Sequence, residues 1–90
     1  MLTIYYTTRF KRDFKRIRKK HKNMSKLQVV IKLLVDEKTL DPRYKDHRLI
    51  GNWAKHRECH IEPDWLLIYR ITDNNLYLER TGSHAELFRK

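Results

Sequence analysis

The stretch Arg57-Glu58-Cys59-His60-Ile61-Glu62-Pro63-Asp64-Trp65-Leu66-Leu67-Ile68-Tyr69-Arg70-Ile71 constrains the fold more than any other part of the chain. It reads as two β-strands meeting at a Pro-Asp corner. The second strand is almost wholly apolar (Leu66, Leu67, Ile68, Tyr69, Ile71), which suits a central strand covered on both faces. The first alternates: Cys59 and Ile61 share one face, and Glu58, His60 and Glu62 share the other. Pro63 fixes its own φ near −65°, so a two-residue type I′ turn, which needs φ > 0, is not expected there. A wider corner would leave Asp64 and Trp65 at a sheet edge beside His60. Ionisable groups beside a stiff strand are well placed for chemistry, because the strand fixes their geometry.

Upstream, Leu2 to Thr7 alternates as a strand, with Leu2, Ile4 and Tyr6 on one face. Thr7 or Thr8 can cap a following helix, along which Phe10, Phe14 and Ile17 form one apolar stripe. The rest of that helix is cationic. From Arg9 to Lys26 there are ten Lys or Arg and one acid, Asp13, so most of the formal net charge of +10 lies here. Such a balance points to a polyanionic partner, nucleic acid first and an anionic membrane second. Ser25-Lys26-Leu27-Gln28 has the form of a capping box and should open a second helix. Its Leu27, Val30, Ile31 and Leu34 follow the i, i+3, i+4, i+7 pattern, and Leu40-Asp41-Pro42 should end the helical part.

Arg43 to Lys55 shows no clear period and reads as a loop held down by Leu49, Ile50 and Trp53. After the hairpin, Asp73-Asn74-Asn75 marks a turn and Leu76 to Arg80 a further strand. Gly82-Ser83-His84 should break that strand before a short tail with Leu87 and Phe88. The order is β-α-α-β-β-β: an α+β fold with two antiparallel helices on one face of a largely antiparallel sheet. Ninety residues make one domain, expected to span 1–90. The single cysteine rules out an intrachain disulfide and suits a reducing, cytoplasmic setting. The N-terminus lacks a signal-peptide pattern, and no apolar run approaches membrane-spanning length.

Three histidines stand in well-marked contexts, His47, His60 and His84. RNA cleavage by internal transesterification needs a base for the 2′-OH proton and an acid for the leaving 5′-oxygen. It also needs a cation for the phosphorane-like charge. Histidine can fill the first two roles and arginine the third; Arg80 could face His60 across the sheet. Plainer readings stand beside these. A lone strand histidine is more often an ordinary hydrogen-bonded residue, the reading given to His21 and His56. Arg80 has the strand parity of Leu76 and Leu78, so it can equally cap the core edge and pair with Glu79 or Glu58. A cationic run is usually a solvated helix face. Trp53 and Trp65 fit packing better than base stacking. A metal site from His47, Cys59, His60 and His84 lacks zinc-type spacing.

The run Tyr44-Lys45-Asp46-His47-Arg48-Leu49 with Gly51 and Trp53 resembles the central motif of YafQ toxins, in the RelE/ParE superfamily of bacterial toxin–antitoxin systems. Arg57 to Tyr69 and Glu79 to Phe88 resemble the rest of that pattern, which covers nearly the whole chain. The three pieces together are specific, whereas each alone is weak. The resemblance implies a ribosome-dependent mRNA endonuclease that needs no metal or other cofactor. It also implies inhibition by a cognate antitoxin in a hetero-oligomeric complex, with ribosome and mRNA as the other partners. It implies functional roles for His47, His60, Asp64, Trp65, Arg80, His84 and Phe88. By analogy His60 and His84 share acid–base work with Asp64, and His47 is a further acid–base or orienting group. Arg80 stabilises phosphorane charge, and Trp65 and Phe88 position bases or the chain end. Lys15, Arg16, Lys19 and Lys20 would grip ribosomal RNA. Two other classes stay open: a non-catalytic nucleic-acid-binding module, and a gyrase inhibitor of the ParE type, which shares the fold.

Overall fold

A computed structural model describes residues 1–20 and 22–88. The chain runs β1 (Thr3–Tyr6), α1 (Thr8–Lys19), α2 (Met24–Val35), β2 (His47–Arg48), β3 (Arg57–Glu62), β4 (Trp65–Thr72), β5 (Asn75–Gly82) and α3 (His84–Phe88). Short 3₁₀ turns at Pro42–Tyr44 and Gly51–Trp53 flank β2. The five strands lie in the order β1-β5-β4-β3-β2, and only the β1–β5 pair is parallel.

Local chemistry explains most boundaries. Thr7 caps α1, its hydroxyl accepting from Phe10 N at 3.0 Å. The expected capping box at Ser25 is not used. Asn23 caps α2 instead, accepting from Ser25 N at 3.1 Å, and the helix opens at Met24. Asp73 and Asn74 both take positive φ (52° and 65°), closing the β4–β5 hairpin with two residues whose twist suits antiparallel strands. At the other hairpin neither Pro63 nor Asp64 has positive φ. Yet the link is two residues long, not a wider corner: Glu62 pairs with Trp65, and an irregularity between His60 and Glu62 absorbs the misfit.

β4 is covered on both faces, as its composition requires. Trp65, Leu67 and Tyr69 face the helices, where Phe10, Ile17, Leu27, Val30, Leu34, Leu76 and Leu78 complete the main core. Leu66 and Ile68 face the other way into a smaller cluster with Leu87, Leu49, Trp53 and Phe88. Trp65 is therefore not at an edge. It is 1 % exposed, and its indole N–H donates to Thr81 Oγ1 at 3.0 Å.

Three further expectations are corrected. The irregular stretch 43–55 contributes β2, a two-residue edge strand held by its pairing with β3, so the sheet has five strands and not four. The last strand does not stop at Arg80 but runs to Gly82, which pairs with Leu66, and it breaks at Ser83 within the expected Gly82-Ser83-His84. A Cβ on Gly82 would lie 2.8 Å from Arg16 Nη2 and 2.9 Å from Glu86 Oε1, so the missing side chain lets those two groups approach the backbone. Finally, the β4–β5 ladder slips between Ile68 and Tyr69, leaving Glu79 as an extra residue. That slip reverses the parity of Arg80. It pairs with Ile68, while Leu78 and Leu76 pair with Tyr69 and Ile71 on the helix face.

Candidate active site

The register assembles a row on the sheet face away from the helices. His47 of β2 pairs with Glu58 of β3, Glu58 with Ile68 of β4, and Ile68 with Arg80 of β5. His60, two residues along β3, shares that face. α3 follows β5 directly and brings His84 and Phe88 over the same face. Ring centroids then follow one another: His47 to His60 at 6.3 Å, His60 to His84 at 5.7 Å, His84 to Phe88 at 6.5 Å.

Each imidazole has its own anchor. Asp64 Oδ1 accepts from the backbone N–H of His84 at 2.9 Å and contacts its Nδ1 at 2.7 Å. The hydrogen bond from the His84 backbone, then that from its ring, holds the Asp64 carboxyl below its ordinary range, so it stays an anion. An anion there keeps the proton on Nδ1 and leaves Nε2 of the half-exposed His84 free for proton transfer. His60 points Nδ1 at Pro63 O (3.3 Å), and His47 points Nδ1 at Lys45 O (2.7 Å). Their Nε2 atoms converge on Glu58 Oε1, at 3.4 Å and 3.5 Å. With Nδ1–H directed at a carbonyl, a ring that takes a second proton on Nε2 finds the buried Glu58 carboxylate already beside it.

Arg80 is on this face but pairs with neither Glu79 nor Glu58. Its Nε and Nη2 donate to Asp13 Oδ2 and Oδ1, at 2.6 Å and 3.1 Å. Asp13 also accepts from Arg16 Nη1 (2.9 Å) and Thr81 N (3.2 Å). The Asp13 hydrogen bonds outweigh partial burial and raise the Arg80 pKa further, so the guanidinium is a fixed cation whose Nη1 remains uncommitted among the described residues. β1 ends at Tyr6, so the outer edge of β5 past that point belongs to α1. Asp13 takes the Thr81 N–H, Arg16 Nη2 donates to Thr81 O (3.3 Å), and Thr7 Oγ1 donates to Glu79 O (2.9 Å).

Of the residues expected to bind substrate, Phe88 stands beside His84, whereas the buried Trp65 presents no ring face for a base. Of the four cations expected to grip ribosomal RNA, Lys15 and Lys19 are exposed and form no ion pair among the described residues. Arg16 and Lys20 are engaged internally. Arg16 Nε lies 2.9 Å from Glu86 Oε2, off the axis of a hydrogen bond, and Lys20 Nζ donates to the same oxygen at 2.9 Å. Burial works against the Glu86 charge. The Ser83 N–H, Lys20 and Arg16 overcome it and bring that carboxyl down to about 2. His56 is an ordinary bonded residue, with Nδ1 at 3.2 Å from Ala54 O; His21 lies outside the described residues.

Two groups were missed as site residues. Glu58 was visible as the neighbour of His60 on one strand face, but its burial between two imidazoles depends on β2. Asp13 carried a signal too, as the lone acid on the stripe of Phe10, Phe14 and Ile17. The metal set with Cys59 does not form, since that thiol is buried on the opposite face and its pKa is pushed up by desolvation. Ligand atoms of Glu58, His60 and His84 instead lie within 4.8 Å of one another, a spacing that could hold a cation.

Comparison with known proteins gives the arrangement a context. Residues 2–89 match the family model described as the bacterial toxin of type II toxin–antitoxin systems, YafQ. The chain is 46 % identical over 86 residues to the mRNA interferase toxin YafQ of Escherichia coli K12, covering 94 % of each chain. It is similar to the toxin in a crystal structure of the E. coli DinJ–YafQ complex (TM-score 0.91, 45 % identity, 98 % of this chain and 99 % of that one). It is also similar to a metal-bound toxin from Helicobacter pylori (TM-score 0.92, 44 % identity, 98 % and 100 % coverage).

Proposed function

The chain belongs to the YafQ family of bacterial toxins of type II toxin–antitoxin systems, and from that premise we propose how it acts as an mRNA interferase. Cleavage is internal transesterification on ribosome-bound message. One histidine takes the 2′-OH proton as the 2′-oxygen attacks phosphorus, and another gives a proton to the departing 5′-oxygen. The products are a 2′,3′-cyclic phosphate and a free 5′-hydroxyl. The observation that carries this reading is the pairing of His60 and His84, with centroids 5.7 Å apart and a different carboxylate beside each, Glu58 at Nε2 of His60 and Asp64 at Nδ1 of His84. Two imidazoles this close can both reach one scissile phosphate, which an acid–base pair needs.

Arg80, oriented by Asp13, directs its free N–H at the charge developing on phosphorus. His47 shares Glu58 with His60 and helps to orient it, and Phe88 stacks on a base next to the cut. Lys15 and Lys19 supply phosphate contacts to the ribosome. A cation held by Glu58, His60 and His84 would occupy the same nitrogen lone pairs, so this chemistry runs without a resident metal. A cognate antitoxin silences the protein in the cytoplasm, as DinJ accompanies YafQ in the E. coli complex.

The test is single-turnover cleavage on programmed ribosomes, mapped by primer extension. His60→Ala and His84→Ala should each lower the rate about 10²–10⁴-fold, the usual contribution of a general acid or base, with ribosome affinity unchanged. Cleavage at the parental rate by both variants would refute the assignment.

A further inference from the structure

The same sheet face continues past the candidate site. Arg70 lies two residues beyond Ile68 on β4, so it shares the face; it pairs with Tyr77 of β5, which pairs with Tyr5 of β1. The three side chains form a lateral stack. Arg70 Cζ sits 4.2 Å from the Tyr77 ring centroid, and Tyr77 and Tyr5 stack at 5.1 Å with 17° between planes. Tyr5 is 47 % exposed and sits on the edge strand, so the row ends in an open ring. Between this stack and Leu87, the neighbour of Phe88, lies a cleft of about 500 Å³. Arg9 and Trp53 line it, the guanidinium 5.8 Å from the ring centroid. Its one acid, Glu79, is already faced by Arg70 (3.6 Å) and His56 (3.5 Å).

We propose that the surface from the Arg9–Trp53 cleft to the Arg70–Tyr77–Tyr5 stack is a platform for the single-stranded message beside the cut. Stacked aromatic faces interleaved with guanidinium groups match the alternation of flat bases and anionic phosphates along one RNA strand. An acidic peptide would use the charges but leave the rings without a partner. The platform rests on the reading that the message passes His60 and His84, and it is continuous with that site through Leu87 and Phe88.

Its test separates stacking from cleavage. In a His84→Ala background that cannot cut, a single-stranded RNA oligonucleotide carrying 2-aminopurine at successive positions reports stacking by quenching and affinity by titration. Tyr5→Ala should weaken binding about tenfold and abolish quenching at one position, as expected for one lost base–aromatic stack. Its salt dependence should not change, because no phosphate contact is removed. Tyr5→Phe should behave as the parent, and Arg9→Gln should lower the salt slope by about one. Tyr5→Thr, which keeps a good strand former, replaces Tyr5→Ala if the latter melts early. Three results would overturn the platform. One is parental affinity and quenching in a folded variant without the Tyr5 ring. Another is a parent that does not bind the oligonucleotide. The third is an equal loss of affinity for ribosomes without message, which would make the surface a ribosomal RNA contact. Cleavage by the unaltered chain is scored separately. Its absence, with Tyr5-dependent binding intact, refutes the nuclease reading and supports the platform.

Discussion

Asp13→Ala should be among the most damaging single substitutions in this chain, although it lies in a helix crowded with cations. The carboxylate is 3 % exposed and receives four contacts: two from Arg80, one from Arg16 and one from Thr81 N. Removing it strands the Arg80 guanidinium, itself 14 % exposed, without its counter-ion. Breaking a buried pair from one side costs about 3–5 kcal/mol. The orphaned Thr81 N–H belongs in the same range, at about 1–3 kcal/mol, and overlaps with it. A total near 4 kcal/mol would lower the melting temperature by roughly 15–30 °C in a domain of this size. Asp13→Asn, which keeps an acceptor, should cost about half as much. Urea titration followed by circular dichroism measures both. The mechanism also predicts coupling: Asp13→Ala combined with Arg80→Met should be less destabilised than the sum of the two, because no buried charge is left alone. A cost under about 1 kcal/mol for Asp13→Ala, or strict additivity of the pair, would refute the reasoning.

Two further outcomes follow from the same packing. Trp65→Phe should lower stability by about 1–2 kcal/mol through loss of the indole bond to Thr81 Oγ1, with RNA affinity unchanged at a temperature where the variant is folded; a drop in affinity without a drop in stability would restore Trp65 as a substrate contact. The Glu86 carboxyl, held near 2 against about 4.3 in an unfolded chain, contributes stability that is complete above pH ~4.3 and fades as pH falls toward 2. Glu86→Gln should therefore be less stable than the parent by roughly 2 kcal/mol at pH 6, after allowance for solvent screening of its exposed partner Lys20, and nearly equal to it at pH 2. Urea midpoints at the two pH values check this, and a difference that persists at pH 2 would assign the effect to packing.

Local pattern in the amino-acid sequence determined the two helices, the β3–β4 hairpin and the residue types of the site. Period-two alternation placed Glu58 and His60 on one strand face, and apolar stripes set the buried faces of α1 and α2. These properties depend on neighbours within a turn or a strand. Tertiary structure decided what lies between distant segments. The two-residue β2 has no period to read and exists through its pairing with β3, which places His47 beside Glu58. Arg80 reached the site face because the β4–β5 ladder slips at Glu79, and one extra residue inverts a strand's sidedness without leaving a mark in composition. Arg16 and Lys20 look like two more cations of a solvated helix, yet Glu86, 70 and 66 positions away, engages them. Trp65 is buried because the hairpin closes in two residues, pairing it with Glu62 and turning its ring into the helix-side core. In each case the deciding partner lies on another element, and register and packing, not local propensity, select it.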